Sequence, residues 1–214
     1  MTRPAIQLAL RISLGVAILG GACTKHSVQA PSQVAAHALT PLLPPSRMPF
    51  DFMWRQRVTA EWPTGKDAFD AVLQKRGGEL VLVGLSPMGL PGFALTLQED
   101  GAIRVENRMG RPLPFEPAYV LADVQRVFFP WFTEAAPSDG TRAAELSGQR
   151  VRETYAHGKL VTREMTRSDA PAAGSVHIEY GARAEGQDAP AQVTLYNAWY
   201  RYRLSIETFE QSRL

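Results

Sequence analysis

The chain has 214 residues, of which 45% are hydrophobic and 21% charged, the proportions of a folded domain and not of a disordered, collagen-like or coiled-coil chain. Its formal charge of +2 comes from Arg3 and Arg11 within the first 22 residues, where no acid occurs; the remaining 21 basic residues balance 21 acidic ones. That balance lacks the electrostatic footprint needed to bind a phosphate backbone, so nucleic acid is not an expected partner.

Residues 1–22 combine the basic Arg3 and Arg11, a short apolar run over 12–19 and the small residues Gly20, Gly21 and Ala22, the pattern of a signal peptide. The apolar run is far shorter than the ~20 residues a spanning helix requires. Cys23, the only cysteine, follows at once, so the segment resembles a bacterial lipoprotein signal, whose cleavage leaves a lipidated cysteine. Lipidation would also remove a thiol that has no partner with which to pair. Thr24, where an aspartate would retain a lipoprotein at the inner membrane, implies by the same resemblance an outer-membrane destination. Residues 24–47 hold Pro31, Pro41, Pro44 and Pro45 without a sustained period and read as a semi-extended tether. The expected organisation is therefore a signal over 1–22, a lipidated tether over 23–47 and a domain over 48–214.

In the domain, Phe52, Trp54, Val58, Ala60 and Trp62 fall on alternate positions, which predicts a first strand with one buried face. Phe69, Ala71 and Leu73 alternate next, and Gly77-Gly78 closes a hairpin. Residues 79–86 are apolar at both parities, as in a strand covered on both sides. Phe93, Leu95 and Leu97 alternate again, and Asp100-Gly101 turns the chain into Ile103 and Val105. Over 117–132 the spacing lengthens to three and four through Leu121, Val124, Val127, Phe128 and Trp131, predicting an amphipathic helix stopped by Pro130. Residues 135–148 read as a polar loop. Strand signals return over 151–155 and 160–165 around a turn at His157-Gly158, then at 176–180, 193–195 and 200–206. The fold class is mainly β, about ten strands with one or two helices, in an antiparallel sheet that curls because open sheets of this size twist or close.

Conventional chemistry finds no foothold. His26, His37, His157 and His177 lack metal-ligand spacing, and one cysteine cannot build the usual zinc patterns. Nucleophile elbows and phosphate-binding glycine loops are absent, and the pairs Asp67 with Asp70 and Glu99 with Asp100 sit beside turns. No cofactor is expected. The large apolar side chains are in excess of one sheet face, which allows two readings. One is a packed core beneath the helix; the other is an apolar pocket lined by Leu80, Leu82, Phe93, Leu95, Leu97, Phe128 and Trp131.

The strand 54–62, the hairpin 68–86, the turn Ser86-Pro87-Met88-Gly89 and the strand 93–97 resemble, in order, the first half of the LolB family of outer-membrane lipoprotein receptors. The chain from 52 to 209 is similar to an uncharacterised family of LolB-like lipoproteins often met beside aryl-polyene biosynthesis genes. The residues carrying this are Leu85-Ser86-Pro87-Met88-Gly89, Leu121-Ala122-Asp123-Val124-Gln125 leading to Phe129-Pro130-Trp131, and an ending from Leu195-Tyr196-Asn197 to Thr208. The resemblance implies an unclosed barrel capped by helix, as in LolA and LolB, around a cavity for acyl chains. It also implies that Met88, with Leu90 beside it, protrudes to deliver cargo to the membrane; the alternative is that Met88 tucks beside Pro87. The implied function is a non-enzymatic carrier of an acyl or polyene-like chain, or of a lipoprotein's acyl chains, anchored by lipid on the periplasmic face of the outer membrane. A LolA-like periplasmic carrier is its implied partner. The rival reading is an assembly lipoprotein that binds a partner protein and holds no ligand, and a third is an enzyme acting on lipid-linked substrates.

Overall fold

A computed structural model of the chain describes residues 41–167, 174–183 and 186–214. The signal, Cys23 and the first part of the tether lie outside them. The alternating segments form β1 (Phe52–Trp62), β2 (Gly65–Arg76), β3 (Glu79–Leu85), β4 (Pro91–Gln98), β5 (Ile103–Asn107), β6 (Gly140–Leu146), β7 (Gln149–Ala156), β8 (Lys159–Thr166), β9 (Ser175–Tyr180), β10 (Gln192–Asn197) and β11 (Tyr202–Arg213), with a single α-helix among the described residues, α1 (Pro117–Phe128). All eleven strands lie in one antiparallel sheet, ordered β5-β4-β3-β2-β1-β11-β10-β9-β8-β7-β6. Two meanders thus meet where β1 pairs with β11, from Phe52 opposite Arg213 to Glu61 opposite Arg203. The outer strands β5 and β6 do not pair, so the barrel is unclosed, and the connection between them carries α1 across the concave face.

Local chemistry sets these elements. His157 and Gly158 both take positive φ, 52° and 70°, the mirror-image two-residue turn whose twist suits a hairpin. The helix opens with Pro117 at its first turn and stops at Phe128, short of the stretch to 132. Pro130 forces this by excluding helical backbone from the residue before it, and Phe129 is extended, with φ −78° and ψ 145°. Three sequence expectations need correction. The supposed loop 135–148 contains β6, whose inward positions are Arg142, Ala144 and Leu146, too little apolar surface to announce a strand. The β3 strand is covered on one face only: Leu80 and Leu82 are buried, whereas Val81 and Val83 are half-exposed on the other side. The last strand runs on past 206 to Arg213.

Two apolar clusters fill the concave face, and α1 spans both. The first gathers Phe52, Trp54, Leu73, Leu80, Leu95 and Leu97 with Leu121 and Phe129; the second gathers Val151, Met165, Val176, Ile178 and Leu195 with Val127 and Trp131. The first also takes in Leu42 and Leu43 from the stretch read as a tether. Leu43 is fixed by both backbone groups, its N–H donating to Gln125 Oε1 at 2.8 Å and its carbonyl accepting from Gln125 Nε2 at 2.6 Å.

Candidate functional site

Three polar residues of α1, Asp123, Gln125 and Arg126, are buried, which costs free energy unless every one is hydrogen-bonded. Asp123 Oδ1 accepts from Arg126 Nη1 at 2.7 Å and its Oδ2 accepts from the Tyr202 hydroxyl. That hydroxyl in turn accepts from Asn197 Nδ2 at 2.9 Å, and the Arg126 guanidinium lies 5.3 Å from the centre of the Trp199 ring. Burial raises the Asp123 pKa despite Arg126 and the Tyr202 hydrogen bond. Burial also lifts Tyr202 well above its ordinary value, reinforced by Asp123. The residues of the Leu121 to Gln125 motif and of the Asn197 to Tyr202 motif are therefore two sides of one clamp that fastens helix to sheet.

A second network lies beneath the C-terminal end of α1. Glu153 and Arg163 are direct cross-strand partners on β7 and β8, and Glu153 is 1% exposed. Its carboxylate accepts from Arg163 Nε at 2.8 Å, from Arg142 Nε at 3.0 Å and Nη2 at 2.8 Å, and from the Tyr155 hydroxyl at 2.5 Å. Burial pushes the Glu153 pKa up, but the field of Arg163 and the hydrogen bonds from Tyr155, Arg142 and Arg163 bring it below its ordinary value. Arg163 also donates to the Arg126 and Val127 carbonyls, and the Tyr180 hydroxyl donates to that of Val127 at 2.8 Å, so the network caps the carbonyls that a helix end leaves unpaired. Burial pushes Tyr180 up to about 12.

Between this network and the first apolar cluster is a cavity of about 300 Å³. Its lining includes the apolar Phe50, Trp54, Phe128 and Pro130 and the polar Arg142, Glu153, Tyr155 and Arg163; the exposed Lys159 and Arg183 and the half-buried Asp188 mark its mouth. A second cavity of about 240 Å³ adjoins it through Lys159, Leu160, Tyr180, Arg183 and Pro190. Trp54, 2% exposed, stacks on Phe52 with ring centres 3.8 Å apart and meets Phe128 edge-on at 5.3 Å. Its indole N–H is enclosed and has no hydrogen-bond acceptor among the described residues. A buried donor left unpaired costs about 1–3 kcal/mol, which makes it the outstanding polar group on the apolar part of the lining.

Of the two readings of the apolar excess, most of the residues concerned follow the packed core. Leu80, Leu82, Phe93, Leu95 and Leu97 are packed in the first cluster and Trp131 in the second, and none lines either cavity; Phe128 does line the larger one. Leucines on paired strands beneath a helix interdigitate to the density of a protein interior and leave no room. Met88 and Leu90 stand at the β3–β4 loop tip, 82% and 60% exposed. Sequence reading missed Arg142, Glu153, Lys159, Arg163 and Arg183. The available signal was opposite charge at inward positions of adjacent strands, Glu153 between Val151 and Tyr155, and Arg163 two before Met165. Asp70 and Glu99, read as carboxylates beside turns, bind Arg57 and Ser46. Among the described residues no group of three or more His, Cys, Asp or Glu gathers as a metal site, and no helix is long and apolar enough to cross a membrane.

The chain belongs to the DUF3261 family, described as a protein of unknown function, whose match spans residues 53–210. No curated protein matches the sequence. Among solved structures, the chain is similar to a LolA superfamily protein from Nitrosomonas europaea, at 8% identity over 76% of this chain and 86% of that one, with a TM-score of 0.45. It is similar to a domain from Vibrio parahaemolyticus described as an outer-membrane lipoprotein-sorting protein, at 12% identity over 77% and 85%, with a TM-score of 0.49. A DUF1329 family protein from Desulfovibrio piger overlaps at 7% identity over 78% and 88%, with a TM-score of 0.45.

Proposed function

We propose that this member of the DUF3261 family is a carrier that binds an acyl or polyene-like chain on its concave face and helps place it in the outer membrane. The observation that carries the reading is the cavity between Trp54, Phe128 and the Glu153 network, of a size at the lower end of the ~300–1,000 Å³ typical of ligand pockets. Burial of a hydrocarbon there is favourable by about 25 cal/mol per Å², and release requires only transfer to another apolar phase, with no covalent step. Signal cleavage and lipidation at Cys23 would hold the domain at the periplasmic face of the membrane, within reach of a LolA-like donor. The Met88 and Leu90 side chains, exposed at a loop tip, supply the contact with the bilayer. Methionine suits that contact, because its flexible, polarizable thioether adapts to disordered chains.

The test is native mass spectrometry with lipid extraction on the full chain carrying Cys23→Ser, secreted by cells that possess an outer membrane. A stoichiometric acyl or polyene species is the expected result and identifies the cargo. The packed leucine cluster beneath β2–β4 favours the second reading, an assembly lipoprotein that binds a partner protein through its sheet. An empty mass, together with no uptake of a fluorescent fatty acid, would overturn the carrier and leave that reading in place.

A further inference from the structure

The polar groups of the larger cavity divide into those whose hydrogen bonds are used and those that remain available. Glu153 is saturated by Arg142, Arg163 and Tyr155. Asp188, at the mouth, is held by both Arg213 Nε at 2.8 Å and Nη2 at 2.6 Å. Both lining carboxylates are thus spoken for by guanidinium groups. On the cationic side, Lys159 Nζ makes one bond, 3.0 Å to the Arg183 carbonyl, and neither Lys159 nor Arg183 forms a salt bridge among the described residues. Both side chains border both cavities. The side-chain groups left over are therefore two exposed cations beside an apolar lining.

We infer that the ligand is an anionic amphiphile, whose carboxylate or phosphate head lies at the mouth against Lys159 and Arg183 while its tail lies along Phe50, Trp54 and Phe128. An anionic head would give Lys159 and Arg183, both exposed, charge-assisted hydrogen bonds in place of their hydration, which a neutral chain cannot do. The lining as a whole holds Arg142, Lys159, Arg163 and Arg183 against Glu153 and Asp188, so its summed charge also favours an anion. This inference rests on the proposed carrier reading and adds the head-group chemistry to it.

The experiment uses the full chain with Cys23→Ser and the neutral fluorescent probe N-phenylnaphthylamine, displaced by laurate, dodecyl phosphate or dodecanol, which share one chain length. The expected result is that the probe binds and that at least one of the two anions displaces it about tenfold more effectively than the alcohol. The stronger anion then distinguishes a carboxylate head from a phosphate head. Lys159→Gln with Arg183→Gln, both at exposed positions, should remove the preference while probe binding and the melting temperature persist. Equal displacement by all three ligands on the unsubstituted surface overturns the anionic head and leaves the apolar carrier standing. No probe fluorescence and no stoichiometric retention of laurate overturn both.

Discussion

Leu82 lies opposite Leu73 on one neighbouring strand and Leu95 on the other, whereas in the other half of the same sheet Glu153 lies opposite Arg163. Both positions face α1 and both are nearly inaccessible to water, yet they exclude it differently. On the β1–β5 side, branched and aromatic side chains interdigitate to the density of a protein interior, and the closeness extends to the backbone. Gly84 faces the Phe93 ring so tightly that an added Cβ would stand 2.1 Å from it. On the β6–β11 side, Val151, Met165, Val176, Ile178 and Leu195 pack as an apolar cluster too, but beside them the ionic groups around Glu153 stand at separations fixed by hydrogen-bond geometry, and the cavity lies against these. One sheet thus carries an apolar half and a half in which an ionic network borders a cavity.

The comparison breaks most visibly at Glu153. Glu153→Ala leaves Arg142 and Arg163 uncompensated, and removal of one partner from a buried ion pair costs about 3–5 kcal/mol. Urea unfolding should show that loss, and a change below about 1 kcal/mol would mean that the network frames nothing. The same carboxylate sets a pH dependence. Its folded-state pKa lies below its ordinary 4.5, so its stabilisation is present above 4.5 and is lost as pH falls through the folded value. Glu153→Gln should therefore flatten the acid limb of a stability profile, and an unaltered limb would assign acid unfolding to other carboxylates.

The apolar half predicts a smaller effect of opposite kind, overpacking in place of a lost charge. Gly84→Ala forces the Phe93 ring out of its place, at about 1–3 kcal/mol. Chemical unfolding checks it, and the cavity's affinity for a hydrophobic probe should be unchanged, because neither Gly84 nor Phe93 lines the cavity. A loss of probe binding at constant stability would show that the two halves are coupled.

The contrast also explains what was legible in the sequence. Period-2 alternation announced β1, β2 and β4 because hydrophobic burial writes itself into spacing, whereas the excess of leucines left both a packed core and a pocket open, since composition does not say how side chains interdigitate. The ionic frame of Arg142, Glu153 and Arg163 reads in sequence like a solvated surface unless charges at otherwise apolar inward positions are weighed. Arg142 lay in an apparent loop, and Glu153 and Arg163 acquire their meaning only through a strand pairing that no local pattern specifies. Asp123 and Gln125 were noticed through a family resemblance, but their roles, clamping α1 to Tyr202 and to Leu43, depend on contacts 79 and 82 residues away.

The smallest expected effect on stability is at the loop joining β3 to β4, which belongs to neither interior. Its backbone is satisfied locally: Ser86 N–H donates to the Leu90 carbonyl and Gly89 N–H to the Ser86 carbonyl, each at 2.8 Å, and Leu90 N–H donates to Ser86 Oγ at 3.2 Å. The loop therefore holds its shape without its apolar side chains, which are left to project. Met88→Glu should change unfolding free energy by no more than about 0.5 kcal/mol, as for surface substitutions generally. It should nevertheless slow transfer of a bound fluorescent fatty acid from the protein to phospholipid vesicles by about tenfold, equivalent to about 1.4 kcal/mol of barrier, because a carboxylate must be desolvated where a thioether is not. Affinity for the fatty acid in the absence of vesicles should be unaffected, since Met88 lines neither cavity. Unchanged transfer would remove the loop from delivery while leaving the cavity untouched, and a parallel loss of affinity would place Met88 in cargo binding.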